Sequence, residues 1–177
     1  YGYFEIHRIR MNQPRAQEAE EKERPHALSM IDHLELSVDA DMSFRHIRND
    51  DILTYPLSGT VTYQDETHRE ALSAKKLLLV STGDGLDYRI TVPLVNAELL
   101  QFYFMPAIAD LKPQIQHYQR PEPMKEGEWQ LLCGNQASHA PLVTTQNTLF
   151  SDIKQTTGKL AALPSEANYQ PILYLAR

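Results

Sequence analysis

The chain has one cysteine, Cys133, and one tryptophan, Trp129, among 177 residues. A lone cysteine forms no intrachain disulfide and builds no cysteine-rich zinc site, and it fits a reducing, cytoplasmic compartment. Long apolar runs are missing too. Runs such as Leu77 to Val80 are strand-sized and far short of the roughly 20 residues a membrane-spanning helix needs. The opening residues Tyr1-Gly2-Tyr3-Phe4-Glu5 have no basic stretch before an apolar core, so they do not read as a signal peptide. A basic excess is also absent. Lys and Arg number 17 against 23 Asp and Glu, for a net charge of -6. Phosphate recognition needs a basic face, so neither nucleic acid nor an anionic membrane is the expected partner. No Gly-x-Ser-x-Gly elbow occurs, which removes the commonest signature of a serine hydrolase. Gly83-Asp84-Gly85 lacks the third glycine and the helix of a dinucleotide loop, and reads as a turn.

What is present reads as an all-β protein. Apolar residues make up 42% and charged residues 23%, an ordinary globular balance. Residues 1–10 alternate in a way that suits a strand. Residues 13–25 are polar, rich in helix formers and flanked by prolines, and are expected as a short exposed helix or loop. Short runs rich in β-branched and aromatic residues then predict strands at Met30 to Val38, Asp51 to Leu57, Thr60 to Gln64, Leu77 to Ser81, Tyr88 to Pro93 and Glu98 to Met105. Ser58-Gly59 marks a tight turn between two of them. Residues 113–128 carry Pro113, Pro121, Pro123 and Gly127 and read as a connector. The strand pattern resumes at Trp129 to Cys133, Leu149 to Ile153, Lys159 to Ala162 and Pro171 to Ala176. Cys133 is expected as a core thiol.

Asp51-Ile-Leu-Thr-Tyr-Pro-Leu-Ser-Gly-Thr-Val61 with Asp65, Leu79-Val-Ser-Thr-Gly-Asp-Gly85 and Gln101-Phe-Tyr-Phe-Met-Pro106 together resemble the pirin family of bicupins. Trp129 to Leu132 and Leu142 to Phe150 are similar to the start of its second barrel. The resemblance implies a cupin-type β-barrel, a jelly-roll-like double-stranded β-helix, over residues 1–112. It implies a shortened, partial second cupin-like region over 129–177. The shortened region makes a homodimer one expected way to cover exposed strand edges.

The resemblance also implies a metal site. Pirins and related quercetin 2,3-dioxygenases hold an iron-type metal with a His-x-His pair before the Ile-Leu-Thr-Tyr strand and a His-x-Glu pair after the glycine loop. Alternation puts residues i and i+2 on one strand face, so each pair reaches one ion. Here those positions are Arg45 and Ile47, then Tyr88 and Ile90. Arginine stays protonated and isoleucine has no donor atom. His46 and the Thr67-His68-Arg69-Glu70 stretch do not restore the set and read as surface. The expectation is therefore no metal cofactor, with iron bound by unidentified ligands as the alternative. Arg45, Ile47, Tyr88 and Ile90 are expected to face the barrel interior, with Gln101 and Tyr103 packed beside them. Two readings stay open for the pocket. Either Arg45 is satisfied by Asp51 or another buried acceptor and plugs the barrel, or Arg45 and Tyr88 bind a small carboxylate or phenolic ligand. The expected function is binding, of a small molecule or a protein, without catalysis; the alternative is a metal-dependent dioxygenase of quercetinase type.

Overall fold

A computed structural model describes residues 2–11, 27–121, 125–156, 158–164 and 171–175. The helix or loop expected over 13–25 lies outside the described residues. The strands are β1 (Phe4–Arg10), β2 (Leu28–Leu36), β3 (Asp41–Ile47), β4 (Asp51–Ser58), β5 (Thr60–Gln64), β6 (Arg69–Ser73), β7 (Lys76–Ser81), β8 (Leu86–Thr91), β9 (Ala97–Phe104), β10 (Gln114–Gln119), β11 (Gln130–Gly134), β12 (Leu142–Val143) and β13 (Leu149–Asp152). Among the described residues no helix is long and apolar enough to cross a membrane.

The strands form three layers. A six-stranded sheet runs β1-β2-β9-β4-β7-β10, a four-stranded sheet β3-β8-β5-β6, and a three-stranded sheet β12-β11-β13. The six-stranded sheet is the middle layer, and side-chain alternation divides its residues between two cores. Leu34, Ile52, Leu78, Val80, Leu99 and Tyr103 pack with Val61, Tyr63, Tyr88 and Ile90 of the four-stranded sheet, forming the barrel interior. Ile31, Leu53, Leu77, Leu79, Leu100, Phe102 and Phe104 face the other way, against Leu132, Cys133 and Leu142 of the C-terminal layer. Burial on both faces explains why β7 and β9 read as near-continuous apolar runs rather than alternating ones.

The Asp51 to Val61 segment is a corner, not the hairpin its sequence suggests. β4 pairs with β7 and β9, whereas β5 pairs with β6 and β8. Gly59, at φ +70°, carries the chain from one sheet to the other, and a Cβ there would stand 2.3 Å from the Asn96 carbonyl oxygen. No L-residue side chain fits that corner without backbone movement.

The proline-rich stretch is more than a connector. Its residues 114–119 are β10, which pairs antiparallel with β7 along the edge of the middle sheet. Immediately after it, buried Arg120 forms an ion pair with Asp152 at the end of β13. Arg120 Nη1 also donates to the Tyr55 hydroxyl at 2.8 Å, and its guanidinium carbon lies 5.0 Å from the centre of the Tyr55 ring. The Tyr55 hydroxyl in turn donates to Asp152 Oδ2 at 2.5 Å. This cluster bolts the C-terminal layer to β4. The strands expected at 159–162 and 171–176 do not form over their described residues. Neither finds a partner strand; Leu160 is fully exposed, and the tail is held by Tyr174, whose ring meets Phe102 edge-on.

Leu78 and Leu79 are adjacent in β7, fully buried, and point into different cores. Leu78→Ala and Leu79→Ala are each expected to cost about 2–5 kcal/mol in urea unfolding. A loss below about 1 kcal/mol for Leu79→Ala would mean that the C-terminal layer does not cover that face.

Candidate functional site

A β-bulge in β3 decides what the barrel contains. Phe44 pairs with Tyr88, but the next partners are Ile47 and Leu86. Arg45 and His46 therefore stand opposite Asp87 alone, an extra residue of the kind that bends a strand and re-aims its side chains. His46 takes φ 54°, and its backbone N–H donates to Asp87 Oδ1 at 2.7 Å. Both Arg45 and His46 end up exposed. The inward place expected for Arg45 belongs to Phe44, whose ring stacks on Tyr88 at 4.5 Å with 10° between planes. Tyr63 stacks on the other side of Tyr88 at 5.5 Å. Tyr88 and Ile90 are buried in this core, and Ile47 packs at its edge.

The pairing of Arg45 with Asp51 is corrected as well. Asp51 is buried but shares the parity of Leu53, so it faces the C-terminal layer, where its carboxylate accepts from Thr144 Oγ1. The ion pair at the barrel is instead Arg8 with Asp32. Arg8 Nε and Nη2 each donate to the Asp32 carboxylate at 2.6 Å, a bidentate arrangement in which the carboxylate is 2% exposed. Strand register extends this pair into a polar row across the inner face of the middle sheet: Arg8 opposite Asp32, Asp32 opposite Gln101, and Gln101 opposite Thr54. Gln101 Nε2 donates to Thr54 Oγ1 at 3.2 Å, and the Tyr103 hydroxyl donates to Gln101 Oε1 at 3.0 Å. Gln101 and Tyr103 thus satisfy each other inside the core.

The Tyr88 hydroxyl is different. It lies near Gln101 and Tyr103 yet is buried without an aligned hydrogen-bond partner. Burial pushes the Tyr88 phenol well above its ordinary range. Burial also raises Tyr63 and Tyr103. On the opposite side of the middle sheet, burial and the neighbouring Asp51 push the Cys133 thiol up to about 12, so it is a core thiol with little thiolate character.

This donor set does not fit a metal. The four positions that the family resemblance marks as ligands hold a guanidinium turned to solvent, two isoleucines and a stacked phenol. Neither an imidazole nor a carboxylate stands among them. Among the described residues no group of three or more His, Cys, Asp or Glu could hold an ion. His68 sits in a turn beside Asp65 and Glu70 pairs with Lys76, so the His-x-Glu spacing there is incidental.

Open space lies at the rim instead. A cleft of about 390 Å³ is bordered by Arg10, Ser29, Asn49, Asp50, Tyr103 and methionines 11, 30 and 105. Asp50 is half-buried, and burial followed by the adjacent Asp51 raises its carboxyl above the usual range. Sequence reasoning missed Arg8, Asp32, Arg10 and Asp50. For the two arginines the available signal was the alternation Ile6, Arg8, Arg10, which places three side chains on one face of a strand.

No protein-family model matches the chain, and no curated protein sequence does. Solved structures do match, and what they share with this chain is the fold, all-β and cupin-type. YhaK from Escherichia coli matches with a TM-score of 0.66 at 19% identity, over 82% of this chain and 62% of that one. YhhW from Escherichia coli matches with a TM-score of 0.60 at 22% identity, over 70% of this chain and 53% of that one. Another structure of YhhW, a bacterial pirin in complex with nickel(II), gives a TM-score of 0.61 at 18% identity, over 83% and 70%. A quercetin 2,3-dioxygenase from Acinetobacter baumannii gives 0.54 at 17% identity, over 82% and 54%. The chain thus spans little more than half the length of several of these proteins.

Two outcomes test the buried hydroxyls. Tyr88→Phe removes a polar atom that has no aligned partner, so it should leave stability unchanged or raise it. Tyr103→Phe orphans Gln101 Oε1 and should cost about 1–3 kcal/mol. Equal effects in thermal unfolding would contradict the hydrogen-bond assignment.

The raised phenols also set an alkaline limit. Folding holds Tyr63, Tyr88 and Tyr103 neutral, whereas the unfolded chain ionises them near the ordinary value of 10.0. Their contribution is fully present below that pH and is lost as pH climbs past it. Of the nine tyrosines, three should develop tyrosinate absorbance only on unfolding, and stability should fall above about pH 10.

Proposed function

We propose that this chain is a non-catalytic, metal-independent pirin-like cupin that acts by binding a small molecule. The observation that carries the reading is the Phe44–Tyr88–Tyr63 stack. Oxygenation at a cupin metal needs imidazole or carboxylate donors and an open coordination position beside the substrate. Here stacked rings and a closed polar row occupy the barrel interior instead. Close-packed aromatic groups leave no room for a reacting molecule. A ligand then has the rim, where the cleft combines a guanidinium without a partner among the described residues, a carboxyl group and adaptable thioethers. Small-molecule sites commonly pair a mostly apolar lining with a few placed polar groups. The small carboxylate expected from sequence fits this rim better than the core, with Arg10 in place of Arg45.

The test is metal loading. The purified protein is incubated with iron, manganese, copper or nickel, desalted, analysed for metal and assayed with quercetin. The expected result is far less than one equivalent of metal and no turnover. One bound equivalent with quercetin consumption would overturn the proposal.

A further inference from the structure

We infer that the rim cleft is a binding site for a small zwitterion, a molecule with a carboxylate at one end and an ammonium group at the other. The inference rests on the reading of the chain as a binding protein. Arg8 and Arg10 share one face of β1, two residues apart. Arg8 is committed to Asp32, whereas Arg10 has no hydrogen-bond or ion-pair partner among the described residues and lines the cleft. An unpaired guanidinium presents a planar fork that matches a carboxylate.

Asp50 is the complementary group. Its backbone is fixed: its N–H donates to Thr82 Oγ1 at 3.0 Å, and its carbonyl oxygen accepts from the Thr82 N–H at 2.9 Å. The residue before it is fixed as well. Asn49 Nδ2 donates to Asp110 Oδ1 at 3.2 Å, and Asn49 Oδ1 accepts from the Asp110 N–H at 2.8 Å. The Asp50 carboxyl, by contrast, has no hydrogen-bond partner among the described residues. Burial, followed by the like charge of Asp51, raises it. No ion pair joins Arg10 to Asp50 among the described residues, and both border the cleft. A half-buried carboxyl beside a second carboxylate is stabilised by a cation, which a ligand ammonium supplies.

The same cleft is lined by Met11, Met30 and Met105 with Tyr103. Thioether side chains are flexible and adapt to an alkyl chain. A volume of about 390 Å³ sits at the small end of the usual range of roughly 300–1,000 Å³. Together these features describe a short, double-ended, aliphatic ligand.

A ladder of ω-amino acids measures this site directly. Glycine, β-alanine, 4-aminobutyrate, 5-aminopentanoate and 6-aminohexanoate are titrated by calorimetry, with pentanoate and pentylamine as single-ended controls. One chain length is expected to bind about tenfold or more tighter than either control. Arg10→Gln should reduce that ligand to the level of pentylamine, and Asp50→Asn to the level of pentanoate. Arg89→Ala, which removes an exposed pair with Asp41, should change nothing. A flat ladder, or wild-type binding by both cleft variants, overturns the inference. Metal content and quercetin turnover are read on the same sample. A flat ladder without metal defeats the zwitterion site alone; stoichiometric metal with turnover defeats the functional reading beneath it.

Discussion

Burial of the middle sheet on both faces is the constraint on which the rest of the structure depends. β4, β7 and β9 each supply side chains to the barrel interior and to the C-terminal core. Such strands have no solvent face on which to place polar residues, so every polar group they carry needs a partner inside the protein. Thr54 and Gln101 find one another on the barrel side. Asp51 finds Thr144 on the other. The C-terminal layer is therefore part of the solution to folding β4, and it explains why β10 and Arg120 hold it in place. Replacing one partner of a buried ion pair such as Arg120–Asp152 leaves an uncompensated charge, which costs far more than the pair itself contributes.

The second determinant is local. One extra residue in β3 shifts the parity of everything before it, and the barrel interior follows. With the bulge, Phe44 reaches Tyr88 and the interior closes around aromatic rings. A continuous ladder would keep Arg45 on the inward parity, bringing a guanidinium into a core whose one carboxylate on the inner face of the middle sheet, Asp32, is already taken by Arg8. Such a charge would lack a partner, and an unpaired buried charge is strongly unfavourable. The bulge therefore suits this sequence, in which the residue at that position can neither ligate a metal nor pack.

Much of the fold was legible in the chain. β2, β4, β5, β7, β8 and β9 carry apolar runs and start or end within a few residues of where the pattern placed them. β3, β6 and β10 did not stand out because each mixes polar and apolar residues and is more exposed than the middle strands; all three are sheet edges. The site was less legible. Counting residues along a motif assumes an unbroken ladder, and a bulge is invisible to such counting. Tyr88, Ile90, Gln101 and Tyr103 lie beyond that break and face inward. Arg45 lies on the wrong side of it. Asp51 misled for another reason. Nearness in sequence suggested a partner for Arg45, whereas strand parity sends the Asp51 side chain to the opposite face.

Arg8 and Arg10 show how one strand can divide a barrel into a closed interior and an open rim. Both project from the same face of β1, so their chemistry differs only through what the neighbouring strand offers. Opposite Arg8 stands Asp32; opposite Arg10 stands Met30. The acid converts the first guanidinium into a structural group, and the thioether leaves the second available. The same contrast holds across the barrel. The polar groups Thr54 and Gln101 are tied to each other, while one residue before β4 the Asp50 carboxyl has no hydrogen-bond partner among the described residues, beside a backbone fixed by Thr82. Chemistry displaced from the centre of the barrel therefore has a defined place to reappear: at the rim, where hydrogen-bonding capacity is left over and solvent gives access.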